Sequence, residues 1–387
     1  MLSYTGWHSW LKRVKKRLVL HVEALSIPCP NNNVQIVRKP RRAAGTENLR
    51  TADERPMVTT LPNDVFLPFA PDKPWLAPLA GWSDLPFRLL CRRFGAAVCC
   101  TEMISAKGLI YKSPGTAELF ATCPEDGPVV VQLFGSEAPF MEAAAGQLRD
   151  KGFVWFDCNM GCSVPKVART GSGAAMCKDI DNALAVAEAL IRAAGRGRVG
   201  FKLRLGWDEP GRSPAAETWR VLEALGAGWL TLHPRTAKQG FTGTARWEYL
   251  SELKALVSLP VVASGDLFTA EDGVRCLAET GVDTVMYARG ALRDPAIFKA
   301  HLDLLAGREP EVADVATLLA RIREHARLAR ELSTEKVALL KMRTIVPRYI
   351  RHIEGSKQLR ADIIACRSWD DFEKALHTFE AGKSSSE

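Results

Sequence analysis

In the stretch "FDCNMGCSVPKV", Asn159 and Cys162 stand where an apolar run ends, and neither helix nor strand periodicity accounts for them. A thiol after Met-Gly at the end of a buried strand suits proton transfer. With a reference pKa of about 8.5 it is mostly protonated at neutral pH, as a general acid must be. Other polar residues recur at the ends of apolar runs. They are Gln132 in "PVVVQLF", Lys202 and Arg204 in "VGFKLRL", His233 and Arg235 in "WLTLHPR", then "SGD" at 264–266 and "ARG" at 288–290. Lys202 and Arg204 alternate in an otherwise apolar strand, so both point toward the interior or its mouth, and buried lysines are rare without an anionic partner. Taken singly, His233 reads equally well as a hydrogen-bonded core histidine and Gln132 as a packing amide. On successive strand ends they read as one site.

The elements that would position them are eight β-rich runs, at 74–80, 96–103, 128–134, 155–160, 199–205, 229–234, 260–266 and 284–289. Helical stretches separate most of them, among them 138–151, 181–194, 215–227 and 271–280. Near-continuous apolar strands alternating with helices predict an α/β fold with a parallel sheet covered on both faces. Eight of them predict closure into a (β/α)8 TIM barrel, with its active site at the C-terminal strand ends. A doubly wound open sheet is the rival. The count of eight and the absence of GxGxxG after the first strand favour the barrel. The glycine-containing turns "ASGDL" and "YARGAL" after strands seven and eight are the usual phosphate cradle of such a barrel, and Arg289 adds charge. A phosphate-bearing cofactor is implied, its ring reaching across to Lys202. A cation beside the pyrimidine end of a flavin stabilises the anionic reduced ring.

The chain has 387 residues, 47% of them hydrophobic, enough for a large α/β domain and a smaller one. No apolar run approaches the ~18 residues of a membrane span, and the N-terminus lacks a secretory signal, so no membrane partner is expected. Ten cysteines without a CxxC pair read as buried or catalytic thiols in a reducing cytoplasm. No metal is expected. Residues 1–56 hold 11 Lys and Arg against 4 Asp and Glu, so +7 of the net +8 lies there. Residues 1–70 accordingly read as a basic N-terminal extension, expected to be disordered. The barrel is expected over 71–308 and a C-terminal helical bundle domain over 309–380. Within the latter, Lys336, Lys341, Arg343, Arg348, Arg351, Lys357 and Arg360 face a single acidic residue, Glu354, over 336–360. Such a stripe is the footprint of a polyanion partner, or equally a solvated helix face.

In order along residues 72–375, "APLAGWSDLPFRLLCRRFGA", "TEMISAKGL", "VQLFG", "DCNMGCSVPKV", "KLRLGW", "HPRTAKQGFTG", "SGDLFTAEDG" and "TGVDTVMYARGALRDPAIF" resemble the signatures of the tRNA-dihydrouridine synthases. "KMRTIVPRYIRHIEGSKQLRADI" resembles that family's helical domain. The resemblance implies an FMN enzyme reduced by NADPH (or NADH) and acting on tRNA, here as a monomer. It would make Cys162 the acid that protonates carbon 5 of uracil while hydride reaches carbon 6, and Asn159 and Arg204 the substrate-side residues. Pro78, Leu79, Ala80, Gln132, Lys202, His233, Ser264, Gly265, Asp266, Ala288 and Arg289 would hold FMN. The chain departs from the family pattern at Ser163, Ser264 and Ala288, which stand for Pro, Asn and Gly.

Two other readings compete. One is an FMN barrel oxidoreductase for a small molecule, against which the basic helical appendage argues. The other is a non-catalytic tRNA-binding protein retaining flavin, against which the joint presence of Cys162, Asn159, Lys202 and His233 argues.

Overall fold

Parallel pairing runs through every strand of the computed structural model, which describes residues 66–208 and 214–384. The strands are β1 Trp75–Leu76, β2 Val98–Cys100, β3 Ile104–Ser105, β4 Val129–Phe134, β5 Phe156–Met160, β6 Val199–Arg204, β7 Trp229–His233, β8 Val261–Ala263 and β9 Thr284–Tyr287. Neighbours in sequence pair from β4 to β9, β9 pairs β1, β1 pairs β2, and β2 pairs β4, which closes the sheet. β2 meets the first part of β4 (Cys99 opposite Val129) and β3 its last part (Ile104 opposite Leu133). They are therefore two pieces of one barrel position, and the barrel has eight positions, as the sequence predicts. The extension expected over 1–70 lies, up to residue 65, outside the described residues.

The floor of the barrel is apolar. Trp75, Trp155 and Trp229 pack with Val98, Cys100, Val130, Val262 and Met286, and the Trp229 ring lies 5.6 Å from Trp75 and 6.3 Å from Trp155. Gly200 is required here, because a Cβ would sit 1.9 Å from the Trp229 indole. Strand alternation then stacks the next inward residues above this floor. Gln132 follows Val130, Asp157 and Asn159 follow Trp155, Lys202 and Arg204 follow Gly200, and Thr231 and His233 follow Trp229. An apolar plug thus lies beneath a polar mouth.

The first outer helix, Leu85–Arg93, starts at Asp84, whose carboxylate accepts from the Phe87 N–H at 3.3 Å. Its Arg88 is fully buried against the equally buried Asp126 and also donates to the Ser83 carbonyl at 2.8 Å. This ties down the turn that follows β1. After β9 the chain is helical, with Val315–Leu332, Glu335–Tyr349, Ser356–Ala365 and Trp369–Ser384 forming its last part. Leu328 packs on Leu85, Leu89 and Leu90, and His325 lies 5.7 Å from the Phe87 ring. No helix of the described residues is long and apolar enough to cross a membrane.

Candidate active site

Sheet register brings the expected residues together. Asn159 stands opposite Lys202, and Arg204 opposite His233. Gln132 stands opposite Asp157, a residue that sequence reasoning passed over. Its signal was its place two positions before Asn159, on the same face of the strand.

A chain of hydrogen bonds runs across the mouth. Gln132 donates from Nε2 to Asp157 Oδ2 at 2.6 Å and accepts at Oε1 from Asn159 Nδ2 at 2.8 Å. The Asn159 Oδ1 accepts from the backbone N–H of Gly161 at 3.2 Å and of Cys162 at 2.9 Å. Asn159 therefore holds the loop that carries Cys162. A second tie comes from Ala174, whose N–H donates to the Cys162 carbonyl at 2.9 Å. Gly173 makes that approach possible, since its φ is +63° and a Cβ would lie 2.5 Å from the Cys162 oxygen. Cys162 is partly exposed, whereas Cys158, inside β5, is fully buried and its thiol is pushed well up by burial and by Asp157.

Charge at the mouth is lopsided. Burial pulls the Lys202 ammonium below its ordinary value, although Asp157 works the other way, and burial likewise pushes the Asp157 carboxyl up. Arg204 donates to the carbonyls of Gly161, Thr236 and Gly240 at 2.8–2.9 Å, with no carboxylate bonded to it among the described residues. Burial and Arg235 bring it down to about 10, so it stays a cation. Burial, helped by Lys202 and three arginines, pushes His233 down to about 2. Arg235 donates to its Nε2 at 3.3 Å, so the neutral ring carries its proton on Nδ1.

The turns after β8 and β9 face each other. Arg235 forks onto Asp266 at 2.8 and 2.6 Å, and Arg289 reaches the same carboxylate at 3.3 Å. Burial opposes the Asp266 charge, but Arg235, the Ala245 N–H and Arg289 outweigh it and hold the carboxyl below the usual range. Its carboxylate thus braces the two turns, a role the sequence did not indicate. Gly265 has φ +108°, and a Cβ there would sit 2.6 Å from the His233 ring. Ser264 is buried beside it, and Ala288 has φ −123° and ψ −93°, outside the positive-φ region that favours glycine. Pro78 and Leu79 are partly buried and Ala80 exposed, in the turn after β1.

Phe241 was also missed. It is 61% exposed on the loop after β7, with its ring 6.1 Å from His233 and 4.3 Å from the Arg289 guanidinium.

The site tests whether an anionic phosphate-bearing cofactor fits. Among the described residues, Lys202, Arg204, Arg235 and Arg289 converge with Asp157 and Asp266 against them, and His233 is neutral. Such an excess of buried cation asks for an anion. Gly265 supplies the bare backbone that a close approach needs. The residues fit an anionic, phosphate-bearing cofactor.

The dihydrouridine synthase (Dus) family model matches residues 75–383. A probable tRNA-dihydrouridine synthase 1 from Synechocystis is 34% identical over 297 residues, covering 76% of this chain and 82% of that protein. A probable tRNA-dihydrouridine synthase from Rhizobium leguminosarum is 38% identical, covering 68% and 80%. The tRNA-dihydrouridine synthase B of Pseudomonas aeruginosa is 30% identical, covering 75% and 87%. Among solved structures, an old yellow enzyme homologue from Zymomonas mobilis is similar at TM-score 0.44 and 14% identity, covering 63% of this chain and 91% of that one. The first outward sign was the order of eight motifs, and with the match across barrel and helices the chain belongs to the dihydrouridine synthase family.

Proposed function

We infer that the protein is a tRNA-dihydrouridine synthase, which reduces the carbon 5–carbon 6 double bond of uridine in tRNA. The observation that carries the assignment of roles is the Cys162 loop, fixed at the barrel mouth by Asn159 beside Lys202 and Arg204. FMN is the cofactor and NADPH its reductant in this reading. When bound, FMN would supply a hydride for carbon 6. The turns at 264–266 and 288–290 would hold its phosphate, with Arg289 adding charge and Asp266 bracing the turns. Lys202, Gln132 and neutral His233 would line its ring, and residues 78–80 would close one side.

Cys162 gives its proton to carbon 5 and becomes a thiolate, which solvent reprotonates after product leaves. Asn159 has both ends of its amide engaged, so it acts first by positioning the thiol loop. A base attacked face-on must leave the RNA stack, which is why the barrel needs helices beside it to hold the tRNA body. A small-molecule oxidoreductase is disfavoured by the match to the family over the C-terminal helices as well as the barrel. The nine free cysteines among the described residues suit the cytoplasm.

The test uses the holoenzyme with Cys162→Ala and Cys158→Ala. Cys162→Ala should still oxidise NADPH and bind tRNA but lose about 10²–10⁴-fold in uridine reduction, the usual contribution of a positioned acid. Cys158→Ala should lose stability and far less activity. Near-normal single-turnover reduction in Cys162→Ala overturns the assignment.

A further inference from the structure

The basic stripe at 336–360 does not face one way. On the helix Glu335–Tyr349, Lys341 and Arg348 lie seven residues apart and so share a face. That face meets the turn after β1. Lys341 Nζ lies 3.1 Å from Asp84 Oδ2, 3.4 Å from Glu102 Oε1 and 3.4 Å from the Gly81 carbonyl, three acceptors for its three N–H groups. The other Glu102 oxygen accepts from the Gly81 N–H. Arg348 stacks 4.3 Å over the Trp82 ring. Glu102 is 9% exposed at its side chain, so its carboxylate needs a cation, and Lys341 supplies one from the far end of the sequence. Burial alone would lower Lys341, but Asp84 and Glu102 raise it, so it stays charged.

We propose that Lys341 is a positioning residue. Through Glu102 and Asp84 it fixes where the C-terminal helices sit over the turn 78–84. The bound tRNA and the reaction centre thereby keep one register. This rests on reading 78–80 as cofactor-binding and the helices as tRNA-binding. A phosphate contact, the reading that the charge stripe invites, would leave Lys341 facing solvent. Its three acceptors instead belong to the barrel.

The experiment compares Lys341→Met and Lys341→Arg with the wild-type holoenzyme, measuring kcat and KM for unmodified tRNA at several salt concentrations, and NADPH oxidation without tRNA. Lys341→Met should lower kcat at saturating tRNA about tenfold or more, the kind of loss a small misplacement causes. NADPH oxidation and the slope of log KM against log salt should be unchanged. Lys341→Arg keeps the charge, but its N–H groups lie in one plane on a longer, bulkier head that does not match three acceptors gathered around a single ammonium nitrogen, so it should also lower kcat. A slope smaller in magnitude by about 0.9 in Lys341→Met, with wild-type behaviour in Lys341→Arg, makes Lys341 a phosphate contact and overturns the proposal. Unchanged kcat in both variants overturns it too. If Lys341→Met does not fold, Lys341→Arg decides alone, wild-type kcat being the overturning result. Absence of uridine reduction in the wild type would instead sink the function itself.

Discussion

Three residues at the mouth form a relay whose direction chemistry dictates. The backbone N–H groups of Gly161 and Cys162 can only donate, which fixes the Asn159 amide and through it the Gln132 amide, whose NH2 faces Asp157. Gln132 then shows its oxygen to Asn159, and Asn159 shows its oxygen to the Cys162 N–H. Asp157→Asn keeps an acceptor for Gln132 but removes the charge that supports Lys202. Lys202 already lies below its ordinary value through burial, and without Asp157 it falls further. The basic limb of the pH profile for flavin reduction by NADPH should therefore move to lower pH, while single-turnover uridine reduction at pH 6.5 stays within a few-fold of wild type. Asp157→Leu breaks the relay as well and should lose about 10²-fold in uridine reduction, as expected when a thiol is no longer held in place. A basic limb that does not move in Asp157→Asn would detach Asp157 from the site.

At the scale of elements, much was legible. The helices expected at 138–151, 181–194, 215–227 and 271–280 are found at Ala138–Asp150, Ile180–Ala194, Pro214–Leu225 and Ala270–Thr280. Apolar period made them so, because each must bury one face on the barrel. The run "AAVCCTEM" read as one strand but breaks at residues 101–103. There the Gln132 N–H goes to the Thr101 hydroxyl at 3.2 Å instead of a backbone carbonyl, and a side chain that interrupts a ladder leaves no mark in the apolar pattern. Lys341 and Glu102 were read in separate contexts because only the closed fold makes them neighbours. The helix junction yields its own expectation. His325 is buried between Phe87 and Tyr349, its Nδ1 2.9 Å from the Tyr349 hydroxyl. Burial pushes it down to about 4 from an ordinary 6.5, with Lys341 helping and Asp84 opposing. Below pH 6.5 the unfolded chain takes up a proton that the fold refuses, so stability falls until about pH 4. Between pH 6.5 and 5 the loss from this group approaches about 2 kcal/mol. In urea unfolding, His325→Gln should be less stable than wild type at pH 7, and that gap should narrow by most of this amount at pH 5. A gap independent of pH would show that His325 does not titrate on unfolding.

The whole molecule must grip a polyanion far larger than its active site. Seven basic residues at 336–360 suggested that grip, but the fold divides them. Lys341 and Arg348 turn to the barrel, and Arg343 donates to the Ile364 carbonyl at 2.7 Å, closing the end of the neighbouring helix. Lys336, Arg351 and Lys357 remain exposed, and Arg360 is partly buried. Periodicity could not separate the two groups, because a lysine stem covers apolar surface as readily as it reaches solvent. If the exposed set meets tRNA phosphates, Arg351→Glu with Lys357→Glu should raise KM for tRNA and reduce the magnitude of the log–log salt slope by roughly 1.5–2, one counterion for each lost contact. Flavin reduction by NADPH and kcat at saturating tRNA should hold, since neither residue touches the mouth. That pattern is the reverse of the one expected for Lys341→Met, where kcat falls and the slope stays. An unchanged slope in the double variant would assign Arg351 and Lys357 to a solvated helix face and move the tRNA surface elsewhere on the molecule.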